Sequence, residues 1–341
     1  MREESISQKD EKPSPQKVLM RDKKTPAPEE RILSVAAAPH IGVTRTVPEV
    51  MWGVVISLTP VVASSIYYFQ WLAVGLILTC LITCLATEAF FQLARGKRIT
   101  IYDGSAIVTG LLMAMVLPPH LPWWAAVLGS AFALAIGKQI FGGLGYNIFN
   151  PALIGRAFLM TTFPVLMTTW TDPMTLDTIS GATPLGMLKF EHQTVPLYHL
   201  FTGNVSGSLG EASALAIIIG GIYLLGRRYA DWRTPLSYLA TVAGLSGIFW
   251  LINPGYGSPS FHLLAGGLML GAIFMATDPV TTPITKRGRW LFGVGAGVLV
   301  VVIRLWGGYP EGVMFSILLM NALTPLVNRY TIPVQMGGRR K

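Results

Sequence analysis

Charge is what this chain has least of. Asp, Glu, Lys and Arg make up 13% of its 341 residues, against roughly 25% in an ordinary soluble domain. A soluble chain of this length needs a charged exterior, and these residues cannot supply one, so a soluble globular protein is excluded. Cysteine is nearly absent too. Cys80 and Cys84 sit together in an apolar run, which is neither a disulfide framework nor a CxxC metal knuckle. Two thiols cannot complete a tetrahedral metal site, so they are read as packing residues. No Walker loop and no HExxH is present. The GVGAGV stretch from Gly293 to Val298 follows no strand and is no dinucleotide fingerprint; Gly293 and Gly297 suit close helix packing instead. No basic stripe is interleaved with aromatics, so nucleic acid is excluded as a partner. A secretory signal is missing as well, because residues 1–47 are polar and rich in Lys, Glu and Pro and the first long apolar run begins near Met51.

What the chain has is apolar length. Hydrophobic residues make up 52% of it and the mean hydropathy is +0.52. This is the composition of an all-α polytopic integral membrane protein, in contact with the lipid bilayer. A spanning helix needs about 20 apolar residues. Ten candidate spans satisfy this within a few residues: 49–68, 71–93, 104–119, 122–141, 151–168, 211–226, 236–252, 262–279, 290–306 and 311–327.

Loop charge tests that count independently, since Lys and Arg gather on the cytoplasmic side of short loops. With the N-terminal tail inside, the inner loops carry Arg95, Lys97 and Arg98, then Arg227, Arg228 and Arg233, then Lys286, Arg287 and Arg289. The C-terminus adds Arg329, Arg339, Arg340 and Lys341, while the outer loops carry Lys189. The parity is firmer than the count, because a missed pair of spans would preserve the alternation.

The two halves echo one another. GSAIVTGLLMAMVLPP in the third span matches GGLMLGAIFMATDPVTTP in the eighth, each a Gly-rich helix ended by proline. FGGLGYNIFNPALIGRAF after the fourth matches WGGYPEGVMFSILLMNALTPL after the ninth. Five spans per half is an odd number, so the second half is inverted, an arrangement that places ligand sites near the midplane at short, broken helices. The organisation read from this is a disordered cytoplasmic tail (1–35), a first five-helix repeat (36–168), an extracytoplasmic loop (169–210), a second repeat (211–327) and a cytoplasmic C-terminal tail (328–341).

Ionisable groups inside spans cost about 2.5–3.5 kcal/mol each on insertion scales. Glu88, Lys138, Arg156, Asp278 and Arg304 fall there. Glu211 and Glu311 stand at outer span starts, where an acid suits the positive end of a helix dipole, and Arg304 is placed to snorkel. Glu88 and Asp278 lie near cytoplasmic span ends and are either interfacial or part of an ion pathway. Asp278 is the stronger candidate, because ATDPVTTP breaks a helix among hydroxyls and carbonyls, the hard oxygen ligands a cation takes. In GYNIFNPALIGRAF, Asn150 before Pro151 is a good helix start. That leaves Asn147 and Arg156 as possible holders of a polar, ring-shaped ligand.

The outer loop is too polar to span and too long to be a mere connector. Its centre reads Asp177, Thr178, Ile179, Ser180, Gly181, Ala182, Thr183, a small-residue turn that presents hydroxyls, with Thr183 open to modification. DTISGAT resembles the flavin-attachment motif of the family that contains the D subunit of the Rnf electron-transport complex and the B subunit of the sodium-pumping NADH:quinone oxidoreductase. GYNIFNPALIGRAF and FMATDPVTTP resemble segments of the same family in the same order. The resemblance covers about residues 35–330, and the length is closer to that of the Rnf member.

The resemblance implies covalent FMN on Thr183 through a phosphoester, cradled by Asp177, Ser180, Gly181 and Ala182. It also implies a non-covalent riboflavin within the spans, for which Asn147, Asn150 and Arg156 are candidates. It further implies a bacterial inner-membrane subunit that couples ferredoxin–NAD electron exchange to Na+ or H+ transport. The partners would be a second flavin-carrying subunit and iron–sulfur subunits. A passive channel or secondary transporter without flavin would share the repeat architecture, as would a scaffold that only anchors cofactor-bearing partners.

The charge map yields a topology test. With Cys80 and Cys84 removed, a single cysteine at position 189 should react with impermeant reagent from outside, and cysteines in both termini only from inside. Labelling of position 189 only from inside would overturn the map.

Overall fold

The computed structural model describes residues 45–97, 99–173, 178–180 and 183–333. Helix dominates them, with one short antiparallel ribbon, β1 (Thr169–Thr171) against β2 (Thr178–Ser180), paired Thr169 to Ser180 and Thr171 to Thr178. The all-α reading therefore needs this ribbon added in the long loop. Helix α1 (Val47–Ala94) runs 48 residues, about 72 Å at 1.5 Å per residue, more than twice a bilayer core. It does not run straight: Gln70 takes φ 49° and ψ −128° and divides it between the predicted spans 49–68 and 71–93.

Helical segments overlap the other predicted spans, several of them short, and one, Pro259–Leu264, shares only residues 262–264 with the predicted 262–279. These are α2 (Ser105–Met115), α3 (Trp123–Leu134), α4 (Pro151–Thr162), α5 (Ala214–Gly226), α6 (Arg233–Ile252), α7 (Pro259–Leu264), α8 (Lys286–Trp306) and α9 (Val313–Thr331). Among the described residues three helices, α1, α6 and α8, are long and apolar enough to cross a membrane, and the bent pair Pro254–Leu264 and Leu268–Met275, 47° apart, makes a fourth if it counts as one span. Large apolar side chains stand exposed all round, among them Trp71, Ile82, Ile222, Leu251 and Leu291, the surface of a protein that faces lipid rather than water.

Short helices have local causes. α2 begins where Gly104 turns left-handed (φ 79°) and Asp103 accepts from the Ser105 N–H and hydroxyl at 2.8 and 2.6 Å. It ends just before Pro118 and Pro119, so its 11 residues reach only about 16 Å, roughly half a bilayer core. Among the described residues, three π-helical turns interrupt the regular ladder: Ala135–Gln139 after α3, Met187–Glu191 in the long loop, and Gly271–Met275 before Asp278. Such turns rotate side chains out of register and cluster at functional sites.

The tightest packing joins α6 and α8, as the glycine spacing anticipated. A Cβ on Gly293 would overlap Ser237 Oγ, and one on Gly297 would sit 2.7 Å from Thr241 Cβ. Gly244 on α6, by contrast, has nothing within 4 Å. Gly293→Val or Gly297→Val should lower the melting temperature of detergent-purified protein, by about 1–3 kcal/mol or more of stability from overpacking. Gly244→Ala should leave it unchanged or raise it, since alanine is favoured over glycine by up to about 1 kcal/mol in a helix. Thermal unfolding followed by tryptophan fluorescence compares them.

Candidate functional site

The broken helices line a cavity of about 70 Å³ walled by Ser105, Thr109, Lys138, Asn147, Asn150 and Asp278, among apolar residues. The π-turn Ala135–Gln139 carries Lys138 and Gln139 inward, and the π-turn Gly271–Met275 delivers the chain to Asp278. Lys138 Nζ donates to both Glu88 oxygens, at 2.7 and 3.0 Å, and to Ser105 Oγ at 2.6 Å. Gln92 and Gln139 also donate to Glu88, each at 3.3 Å. Glu88 is therefore no interfacial acid: it is 1% exposed, inside a cage of donors. Removing either partner of such a pair strands a buried charge, which costs about 3–5 kcal/mol.

Asp278 caps its own turn, accepting from the Val280 N–H and the Thr281 hydroxyl, both at 3.2 Å. Asn147 lines the same cavity as Asp278. Among the described residues no ion pair joins Asp278 to Lys286 or Arg287, its nearest cations along the chain. Asn150 accepts from the Ala152 N–H at 3.1 Å, the expected helix start, and donates to Met275 O at 3.3 Å, tying α4 to the second π-turn.

Arg156 does not join Asn147 and Asn150. One and a half turns along α4 it pairs with Glu311 at 2.6 Å. Glu211, held by the Ser208 hydroxyl at 2.7 Å, approaches the same Glu311. Glu311 pairs with the Arg156 guanidinium and Glu211 stands beside it in a second polar cluster, and neither acid is the simple dipole cap the sequence suggested. Arg304 does not snorkel. It is 4% exposed and donates to His262 O and Ala265 O at 2.6 and 3.0 Å, satisfying the carbonyls freed where α7 stops. Lys189 does the same for the end of α8, donating to the carbonyls of Ile303, Gly307 and Tyr309. Its partial burial there holds the ammonium below the usual lysine range. Asn321, fully buried on α9, has neither amide atom partnered among the described residues.

Of the loop motif, Thr183 is described, whereas Asp177, Gly181 and Ala182 lie outside the described residues, as does the side chain of Ser180. Thr183 is not displayed at a loop tip. It is 3% exposed and caps the helical turn Pro184–Gly186, its Oγ accepting from the Gly186 N–H at 3.1 Å. A phosphoryl group on that oxygen would stand at a helical N-terminus, an arrangement that suits an anion. Of the three residues considered for riboflavin, Asn147 and Asn150 line the small cavity and Arg156 does not. At about 70 Å³ that cavity is far below the roughly 300–1,000 Å³ of a ligand pocket. It is room for about two waters or one small cation.

Three of the residues singled out in the sequence, Asn147, Asn150 and Asp278, line one cavity, whereas Gln92 and Gln139 as donors to Glu88 and Ser105 as a partner of Lys138 were not foreseen. No periodicity signals them, since each looks like a stray polar residue at a span end. A double-mutant cycle tests the buried pair. Lys138→Met or Glu88→Gln alone should destabilise the chain by about 3–5 kcal/mol, and the two together by clearly less than the sum. Additive losses in detergent melting curves would show that the pair is not coupled.

Comparison with known proteins identifies the family. Residues 34–337 match the family model described as NQR2, RnfD, RnfE. The D subunit of a proton-translocating ferredoxin:NAD(+) oxidoreductase complex from Clostridium ljungdahlii is 44% identical over 91% of this chain and 98% of its own. The D subunit of a Na(+)-translocating ferredoxin:NAD(+) oxidoreductase complex from Acetobacterium woodii is 46% identical over 88% and 93%. The D subunit of an ion-translocating oxidoreductase complex from Stutzerimonas stutzeri is 42% identical over 86% and 93%. The chain belongs to the NQR2, RnfD, RnfE family.

Proposed function

We propose that this chain is the D subunit of an ion-translocating ferredoxin:NAD+ oxidoreductase complex in the bacterial inner membrane, with ten spans in two inverted repeats and both termini cytoplasmic. The observation that carries the reading is the near-full-length likeness to the D subunits of complexes named for H+ and for Na+. The buried charges give it a physical basis. Lys138 and Asp278 line the small cavity and Glu88 bonds Lys138 from outside that lining; with Lys138 engaged by Glu88, the Asp278 carboxylate is left to meet a monovalent cation or a proton. Hard oxygens from Asp278, Thr281 and Asn147 suit either. The outer cluster of Arg156, Glu311 and Glu211 offers a second polar station on the far side of α4. The soluble entry sites for ferredoxin and NAD belong to other subunits, carrying flavin and iron–sulfur centres, because this chain has no nucleotide-binding loop.

Thr183 is the proposed attachment residue for FMN, with Asp177, Ser180, Gly181 and Ala182 completing its motif. FMN supplies the redox chemistry when bound, while the protein supplies position and potential. What this chain contributes is a hydroxyl at a helical N-terminus, in a loop that Lys189 pins to the end of α8. A flavin-free channel would share the architecture but would have no use for DTISGAT.

In a host that supplies a flavin transferase, the denatured wild-type chain should fluoresce on a gel, and Thr183→Asn should not. Asparagine keeps the cap on the Gly186 N–H and so preserves the fold. Peptide mass spectrometry that finds the flavin elsewhere would reject Thr183. Asp278→Asn keeps the turn but removes the charge. In the assembled, flavin-loaded complex it should shift the cation dependence of turnover; unchanged cation affinity and rate would dismiss Asp278 from the ion path.

A further inference from the structure

A second cavity opens beside the first, on the face predicted to be cytoplasmic. It measures about 650 Å³ and is lined by Arg228, Arg233, Lys286 and Arg289 against a single acid, Asp231. Tyr229, Ala230, Thr277 and Pro279 belong to the walls of both cavities. Four cations facing one carboxylate leave the basin with a formal excess of three, which disfavours a cation and favours an anion.

The arrangement is built rather than casual. Asp231 clasps Arg233 at 2.9 Å and Arg289 at 2.5 Å and also accepts from the Arg233 N–H at 2.9 Å. Burial alone would raise the Asp231 carboxyl, but the Arg233 N–H and the Arg289 guanidinium outweigh it and hold the group below the usual carboxylate range. The clasp therefore stays charged, and both guanidiniums stay fixed. Arg228 takes a left-handed backbone conformation, φ 56°, and its carbonyl accepts from the Arg45 guanidinium at 2.8 Å. Among the described residues, no ion pair engages Arg228 or Lys286.

The rim decides which anion. Trp232 lines the basin, and its ring meets that of Trp290 edge to face, with centroids 6.0 Å apart. Both rings are exposed, and Leu236 and Val294, one turn deeper on α6 and α8, are exposed as well. Tryptophan at this level marks the headgroup region, with hydrocarbon beyond it. An inorganic anion has no use for an aromatic rim that leads into an apolar track. A molecule with an anionic head and a hydrocarbon tail uses both.

We propose that the basin of Arg228, Arg233, Lys286 and Arg289 is a binding site for the phosphate head of an acidic phospholipid, whose acyl chains follow Trp232, Leu236, Trp290 and Val294. Basic pockets between membrane helices on the cytoplasmic side hold such headgroups, at about 1 kcal/mol per Lys or Arg.

The test compares two double variants that remove the same charge. Arg228→Gln/Lys286→Gln empties the basin of its unpaired cations, whereas Arg227→Gln/Arg287→Gln removes their chain neighbours, which do not line it. Full-length protein is exchanged into vesicles of phosphatidylcholine with a minority of phosphatidylglycerol, re-extracted in mild detergent, and its retained lipid measured by mass spectrometry. Wild type and the Arg227/Arg287 variant should keep phosphatidylglycerol in preference to phosphatidylcholine. The Arg228/Lys286 variant should lose it about thirtyfold in affinity, about 2 kcal/mol at about 1.4 kcal/mol per tenfold, with an unchanged melting temperature. Equal losses in both variants would reduce the effect to general surface charge and overturn the site. So would displacement of the lipid by millimolar inorganic phosphate, which would mark a free-anion site. Retention of no acidic lipid by the wild type would overturn it too. If the Arg228/Lys286 variant fails to fold, Trp290→Ala decides instead: losing the rim should weaken retention of phosphatidylglycerol, and unchanged retention refutes the proposal.

Discussion

A helix that stops inside a bilayer leaves backbone carbonyls and N–H groups with no water to bond, and every such group has to find a partner in the protein. This constraint shapes the chain more than any other. Arg304 answers it at the end of α7, Lys189 at the end of α8, Asn150 at the start of α4 and Asp103 at the start of α2. Each of these side chains bridges elements or closes a break, so the same bonds that make short helices tolerable also assemble the bundle.

Broken helices are costly, and their value lies in where they put polar atoms. The π-turns at Ala135–Gln139 and Gly271–Met275 aim Lys138 and the Asp278 turn into one small cavity. A regular helix would have carried those residues past it. The cavity stays small because apolar side chains such as Val54, Leu112 and Phe274 close around it. At this size the surrounding charges act through low dielectric, which strengthens each interaction and makes the Glu88–Lys138 pair hard to break.

The polar groups divide between two levels. The inner cluster of Glu88, Lys138 and Asp278 adjoins the basic basin through shared wall residues, while Arg156, Glu311 and Glu211 form the other cluster across α4. Asn321 on α9, with both amide atoms unpartnered among the described residues, lies one turn from Thr324, which bonds Thr281 O.

Sequence alone determined whatever depends on composition and local pattern. Apolar length and loop charge place helices along the chain, Gly293 and Gly297 mark a close-packing face on α8, and Asn150 before Pro151 starts a helix, because these follow from hydropathy, sterics and neighbouring residues. DTISGAT was legible for the same reason, being a contiguous run. Only the tertiary structure decided which distant charges meet. Nothing local tells Arg156 to face Glu311 rather than Asn147, because the choice turns on the rotation of α4 against α9 across 155 residues of chain. Nor could spacing show that Lys138 is caged by Glu88 and Ser105, since a π-turn had first to rotate it inward. Even Thr183, found by motif, had its setting decided by the fold: a buried helix cap rather than an exposed tip, because its hydroxyl finds the Gly186 N–H once the loop closes.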